Sequence, residues 1–433
     1  MRKIGLSGET CRLFVCKIQI NSVSLGKILV MSSILGILFG SLFILLYTIT
    51  IIGLIIVIIA ENRNPLKTIP WVIVLLLVPG IGLIFYFFFG QDNRKKRIIS
   101  RRTYKRIINR PKMERIEDPY AIAPEAYKKL ATLLNRSKTA PLLYAERIQI
   151  YTNGKDKFKD LLDDIRQAKH HIHLQYYIFC DDEIGREFQQ LLIKKAHEGV
   201  QVRVIYDDVG CWNVKDKFFH EMKQNGIEIY PFLKVAFPVF TSKVNYRNHR
   251  KVVVIDGKIG YMGGMNVADR YWKGVSWGVW RDLHFRITGK AVYGLQTAFL
   301  IDWYVVSKQV LTSKIYYPAL PVQTALLMQI LTSGPVSPWR TLTQAYIYII
   351  TNAKQYVYIQ TPYFLPTEGL NQALQVAARG GVDVRIMLPE HSDTQMANLA
   401  SRSFLAEMIR AGVKIYFYQE GFLHSKLLLS DDY

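Results

Sequence analysis

The sequence predicts an α/β protein anchored in a membrane: an N-terminal transmembrane helical hairpin, then two duplicated α/β domains related by a pseudo-twofold axis, the second incomplete at Tyr433. Three observations carry that expectation. Residues 28–60 hold no charged side chain over 33 positions, a second apolar run follows at 69–90, and the order of elements in 141–330 recurs in 331–433.

The first run would make on the order of 50 Å of helix at about 1.5 Å per residue. A bilayer core needs about 30 Å, and two spans with a turn would need roughly 45 residues. One span over about 43–60, with an apolar lead-in from 28, therefore fits best. Trp71 and Tyr86 stand near the ends of the second run, 69–90, at the depth that amphipathic rings favour. The two runs and the short polar link between them make residues 1–92 the membrane anchor.

Orientation follows from the flanks. Arg94 to Lys112 holds ten basic residues and no acid, and Arg2, Lys3, Arg12, Lys17 and Lys27 stand against Glu9 ahead of the first run. Both ends of the hairpin belong on the cytoplasmic side, which makes a multi-pass cell-membrane protein with its two α/β domains in the cytoplasm. Residues 93–140 form a basic juxtamembrane linker. It either serves only as a solvated topology signal or also attracts acidic headgroups, at about 1 kcal/mol per basic residue near the surface.

The chain as a whole carries 56 Lys and Arg against 34 Asp and Glu, a net charge of +22, with half its residues hydrophobic. Because the positive charge clusters beside the spans instead of along the repeats, it points to anionic membrane lipids and not to nucleic acid. No obligate protein partner is indicated. Cys11, Cys16, Cys180 and Cys211 show neither a C-x-x-C pair nor zinc spacing. They are expected as free thiols, and no metal or other cofactor is implied.

The repeat is read segment by segment. IHLQYYIFCDDEIG at 172–185 parallels YVYIQTPYFLPTEG at 356–369, and FQQLLIKKAHEGVQVRVIYDD at 188–208 parallels LNQALQVAARGGVDVRIMLPE at 370–390. Each pair reads as strand, amphipathic helix, glycine stop and Val/Ile-rich strand. NHRKVVVIDG at 248–257 then parallels LHSKLLLSDD at 423–432. Two β-α-β progressions predict two similar helix-flanked sheets.

The last pair carries the chemistry: His249, Lys251 and Asp256 repeat as His424, Lys426 and Asp431 in the pattern His-x-Lys-x4-Asp. Residues i and i+2 of a strand share a face, so each His projects with its Lys. If the two domains face one another, both pairs line one cleft. A neutral imidazole can attack phosphorus, a protonated one can deliver a proton to a leaving alkoxide, and two lysines can stabilise the non-bridging oxygens. Asp256 and Asp431, at odd separation from their histidines, are expected to support the strand ends more than to touch substrate.

Further candidates follow the first copy. Gly263-Gly264-Met265-Asn266 lets backbone approach a ligand, and the Asn266 amide can donate to a phosphate oxygen. Asp282, in Trp280-Arg281-Asp282, is the candidate carboxylate that orients an imidazole, with Gly264 supporting the site. His170, His171 and His173 read as a partly exposed strand entry, and Tyr176-Tyr177 and Tyr363-Phe364 as core or cleft wall.

The doubled His-x-Lys-x4-Asp motif resembles the phospholipase D superfamily. Within it, the chain from about residue 43 onward resembles the bacterial cardiolipin synthase family, through Asn62-Arg63-Asn64-Pro65, Pro79, Gly82, Gly90-Gln91, Asn245 to Lys251, Thr361 to Phe364 and Gly421 to His424. The resemblance implies two phospholipase D-like domains and transfer of a phosphatidyl group between two phosphatidylglycerol molecules, giving cardiolipin and glycerol. It implies His249 as the nucleophile of a phosphohistidine intermediate, His424 as acid and base, and phosphate binding by Lys251, Lys426 and Asn266. Family members continue past the second motif with a Gly-Ser-x-Asn element matching 263–266, so the second domain is expected to be truncated here. Rival readings are a membrane-bound phospholipase D that releases the same intermediate to water, a nuclease, and an inactive anchored scaffold.

Overall fold

The computed structural model describes residues 8–60, 65–86, 90, 121–136, 140–235, 247–321, 326–334 and 340–432. The basic run 94–112, Asn62 to Asn64, Gln91, Asn245, Tyr246 and Tyr433 lie outside the described residues. The chain divides into two units, Met1–Gln91 and Asp92–Tyr433.

In the first unit the apolar lead-in and the expected first span are one helix, α1 (Gly8–Ala60). Nothing in the uncharged run stops a helix, since no proline interrupts it and Gly36, Gly40 and Gly53 meet no steric obstacle. Its segment Leu29–Ile56 is long and apolar enough to cross a membrane. The second apolar run is not one span's length of helix. It divides into α2 (Pro65–Leu77) and α3 (Pro79–Phe85), broken at Val78, where Pro79 supplies no N–H and takes the first position of a new helix. Ile51 and Ile58 of α1 bury against Leu75 and Tyr86, and Trp71 meets Tyr86 edge-on at 5.5 Å.

The second unit opens on a short helix, α4 (Lys128–Asn135). It continues as β1 (Leu142–Ala145), β2 (Arg147–Tyr151), α5 (Gly154–Gln167), β3 (His171–Tyr176), α6 (Glu183–His197) and β4 (Gln201–Asp207). Next come α7 (Asp216–Gln224), β5 (Glu228–Phe232), β6 (Val252–Ile255), β7 (Ile259–Gly263), α8 (Asp269–Lys273), β8 (Val279–Arg281), β9 (His284–Thr288) and α9 (Val292–Ser307). The remainder comprises β10 (Leu326–Gln329), α10 (Thr341–Asn352), β11 (Tyr356–Gln360), α11 (Glu368–Arg379), β12 (Asp383–Pro389), α12 (Gln395–Ser403) and α13 (Leu405–Arg410). It closes on β13 (Lys414–Tyr418), β14 (Gly421–Leu423) and β15 (Leu427–Ser430). The helix starts are chemically marked: Asn153 accepts from the Asp156 N–H and Asp182 from the Gly185 N–H.

Two mixed sheets result. The larger has the order β2-β9-β7-β6-β3-β4-β5, the smaller β13-β12-β11-β15. In each, three strands run parallel (β3, β4, β5 and β11, β12, β13), and the strand that follows the His-Lys pair lies antiparallel to the first of them. Each sheet has its own apolar core, one around Leu174, Phe188 and Val204, the other around Val357, Leu374 and Ile386. Phe422 of β14 belongs to the first core, which fastens the second half to the first.

One expectation is corrected here. His171 and His173 are fully buried and not at an exposed strand entry. β3 is a central strand covered on both faces, and α9 lays Phe299 flat on the His173 ring at 4.5 Å while Gln296 bonds both imidazoles. Burial holds His173 well below its usual range, so both rings serve the core as neutral groups.

Candidate active site

The His-Lys pairs stand in the extended residues that lead into β6 and β15. Lys251 donates to its own histidine's carbonyl at 2.7 Å and lies 3.1 Å from His249 Nδ1; Lys426 likewise bonds the His424 carbonyl. The short apolar strands behind them, VVVI and LLLS, hold both segments against the sheets. The His249 ring packs on Tyr177, centroids 4.6 Å apart, and His424 sits among Trp280 at 5.2 Å and Phe422 at 5.6 Å.

The two pairs meet across the halves. Burial pushes His249 down to about 3, and the charges of Lys251 and Lys426 and the nearby His424 push the same way. Burial also lowers His424, but there the hydrogen bond it donates to Asp282 works in the opposite direction. Lys426 falls to about 8 through burial, with Asp282 and Asp393 resisting. Lys251 lies well below its ordinary value because of burial and the neighbouring Lys426. Four would-be cations crowded out of water make a site waiting for an anion.

Asp282 is fully buried and its Oδ2 lies 2.6 Å from His424 Nδ1. The contact is made across the halves by a two-stranded parallel pair: β14 docks on β8, and the His424 N–H donates to the Arg281 carbonyl at 2.7 Å. Gly421 permits this approach, since it has φ +149° and a Cβ there would stand 2.2 Å from the Val279 carbonyl oxygen. Gly264 makes room on the other side, where a Cβ would fall 2.0 Å from Asp282 Oδ1.

The remaining sequence candidates are placed as follows. Asp256 accepts the N–H groups of Lys169, His170 and His171, and Asp431 those of Lys354, Gln355 and Tyr356, so both carboxylates brace strand ends. Their acceptor oxygens are committed to backbone. Asn266 is buried, with Oδ1 accepting from the Ile178 N–H and Nδ2 donating to the Tyr271 hydroxyl at 2.5 Å. An amide nitrogen carries two hydrogens, and this contact uses one of them. Among the described residues no cluster of His, Cys, Asp and Glu is arranged to hold a metal ion.

Sequence reasoning missed two anchors of His249. Asp207, at the end of β4, accepts from the Asn248 N–H and also from Val209 and Gly210. Asp302 accepts from Gln175 Nε2 at 2.7 Å and Asn248 Nδ2 at 2.8 Å, and pairs with Arg250. The available signal for Asp302 was a lone carboxylate inside the apolar helix FLIDWYVV.

The sheets and the crossed His-Lys pairs define a phospholipase D-like protein. The family described as "Cardiolipin synthase, PLD-like domain" matches residues 161–277 and 346–433, and "Phospholipase_D-nuclease N-terminal" matches 48–91. Cardiolipin synthase of Halalkalibacterium halodurans is 39% identical over 400 residues, 90% of this chain and 79% of that protein. The major cardiolipin synthase of Bacillus subtilis is 39% identical over 400 residues, 90% of this chain and 83% of that one. Phosphatidylserine synthase of Haemophilus influenzae, 16% identical, shares the fold with a TM-score of 0.51 over 71% of this chain and 80% of its own. The chain belongs to the bacterial cardiolipin synthase family, a group of phosphatidyltransferases.

Proposed function

We propose that the protein transfers a phosphatidyl group from one phosphatidylglycerol to the hydroxyl of a second, with His249 as nucleophile and His424 as proton carrier. The observation that carries the division of labour is the carboxylate at His424. Asp282 stabilises the imidazolium form of His424, whereas among the described residues His249 meets no carboxylate and burial keeps it neutral.

In the first half-reaction the His249 ring nitrogen not turned to Lys251 forms a bond to phosphorus. The bond from phosphorus to the glycerol oxygen breaks, and His424 gives its proton to that oxygen. In the second, the headgroup hydroxyl of another phosphatidylglycerol loses its proton to His424 and attacks phosphorus, releasing neutral His249 and cardiolipin. Lys251, Lys426 and the spare Asn266 hydrogen stabilise the phosphoryl oxygens. Asp256 and Asp431 act only by holding the strand ends.

The matching order of four strands, β5-β4-β3-β6 in the larger sheet and β13-β12-β11-β15 in the smaller, and the matching backbone bonds of Asp256 and Asp431 support two duplicated domains, 141–330 and 331–433, facing each other about a pseudo-twofold axis. Residues 1–92 then serve as a multi-pass helical hairpin anchor and 93–140 as a basic linker, with the catalytic domains cytoplasmic, a reading supported by the charge of the flanks. Anionic phospholipids are the partners of the site.

Quenching the full-length protein with phosphatidylglycerol in neutral denaturing detergent, which spares the acid-labile phosphorus–nitrogen bond, tests the mechanism. Mass spectrometry should find a phosphatidyl adduct on the peptide containing His249, and one glycerol released per cardiolipin. His249→Ala should lose adduct and turnover together. An adduct on His424 would reverse the assignment, and phosphatidic acid as sole product would replace transfer by hydrolysis.

A further inference from the structure

Exposed apolar side chains that the chemistry above does not use gather on the turns around the site. α12 turns Ser401 inward, its hydroxyl accepting from the Phe364 N–H at 2.9 Å, and presents Met396 and Leu399 outward, 81% and 71% exposed, three positions apart on one face. Leu365, half exposed, stands on the neighbouring turn after β11. Both elements abut the site. The Tyr363 hydroxyl donates to Asp393 at 2.5 Å, Asp393 lies close enough to stabilise the Lys426 charge, and Tyr363 packs against the first half's core.

The first half contributes Trp212, 54% exposed, on the turn after β4. That turn backs onto Tyr177, since a Cβ on Gly210 would stand 2.1 Å from the Tyr177 carbonyl oxygen, and the Tyr177 ring lies on His249. Exposed Lys215 and Lys217 follow Trp212 after Asn213 and Val214, with exposed Asp216 between them. Single exposed apolar residues are ordinary on a protein surface. Here they come from both halves, on elements next to residues that border the site, Tyr177 at His249 and Asp393 near Lys426.

We propose that Met396, Leu399, Leu365 and Trp212 form a rim that enters the headgroup and acyl boundary of a bilayer, with α12 lying in the interface. The inference rests on the phosphatidyl-transfer reading. A headgroup can enter a cleft lined by His and Lys while the two acyl chains attached to it stay in lipid, which requires the mouth to meet the bilayer surface. A short helix with an apolar outer face buries that face about 5–10 Å into the boundary. Lys215 and Lys217 complement the anionic headgroups.

The test uses the full chain in phosphatidylcholine vesicles containing phosphatidylglycerol with a photoreactive group on its acyl chain. After irradiation, the peptide 395–403 should carry label, and the peptide around Val376 should not. Val376 is a fair control, being 66% exposed on α11 near the end that leads into the start of β12, away from the site. Label confined to the N-terminal apolar helix would overturn the proposal. This measurement needs no turnover, so it stands apart from any failure of the transfer reading. In a second arm, Met396→Asp with Leu399→Asp should raise the KM for vesicle phosphatidylglycerol about tenfold, with kcat/KM for a dispersed short-chain analogue within about twofold, and Val376→Asp should move neither. An unchanged vesicle KM would overturn the proposal. If the double variant loses both activities, the label pattern of the unaltered protein decides.

Discussion

Replacing Asp282 with Asn tests the contact on which the proton-carrying role of His424 depends. The carboxylate is fully buried and 2.6 Å from Nδ1, and Asn keeps both its shape and the acceptor that Leu283 N–H uses. What is lost is a hydrogen bond between charged partners, about 1.5–3 kcal/mol. At 1.36 kcal/mol per pKa unit that is about one to two units at His424. The sign follows from the bond: Asp282 opposes the lowering by burial, so its loss drops His424 further. His424 must be protonated to release glycerol, so the alkaline limb of the kcat profile should move about one to two units toward lower pH. The same energy lowers kcat about ten- to hundredfold. KM should stay, because Asp282 does not touch lipid. Gly264→Ala should produce a similar fall without removing any charge, since its methyl group would displace the carboxylate. Cardiolipin formation is followed by mass spectrometry across pH 5–9. A D282N enzyme with kcat within about twofold of normal and an unmoved alkaline limb would refute the reasoning.

Two further perturbations concern the scaffold. Burial raises the Asp256 carboxyl, but three backbone N–H groups more than offset it, so it lies below its ordinary value. Its stabilisation is present above the ordinary carboxylate range and is lost as pH falls through the depressed folded-state value. Asp256→Ala should therefore lower the Tm at neutral pH, by about 2–4 kcal/mol of stability, and the gap from the unaltered protein should narrow in acid; a pH-independent gap would contradict this origin. Asp302→Ala strands Arg250, Asn248 and Gln175, and should cost about 3–5 kcal/mol and lower kcat because two of those residues flank His249. A variant with unchanged thermal unfolding and turnover would show that the buried node does neither.

The doubled motif was legible because its information is local. An i, i+2 spacing ahead of an apolar strand holds wherever that strand docks, and the same holds for two charge-free runs long enough to be helices. The break at Val78 was also available, in Pro79, but a hydropathy run averages over a single residue. The burial of His171 and His173 was not available, because it is decided by Gln296 and Phe299 on a helix more than a hundred positions later. Asp207 and Asp302 were passed over for a similar reason: each acts on Asn248, which it reaches only through the sheet.

By itself the sequence determined two His-Lys pairs, the strands that carry them, the charge pattern of the flanks and the family to which they belong. It also marked Asp282 as a carboxylate suited to orient an imidazole, without saying which one. The tertiary structure decided that the imidazole is His424, 142 positions away, because β14 crosses to pair with β8 and two glycines let the backbones close. Periodicity tells which way a side chain points along its own strand. Only packing between distant segments tells what it meets there, and an imidazole's acid or base role depends on what it meets.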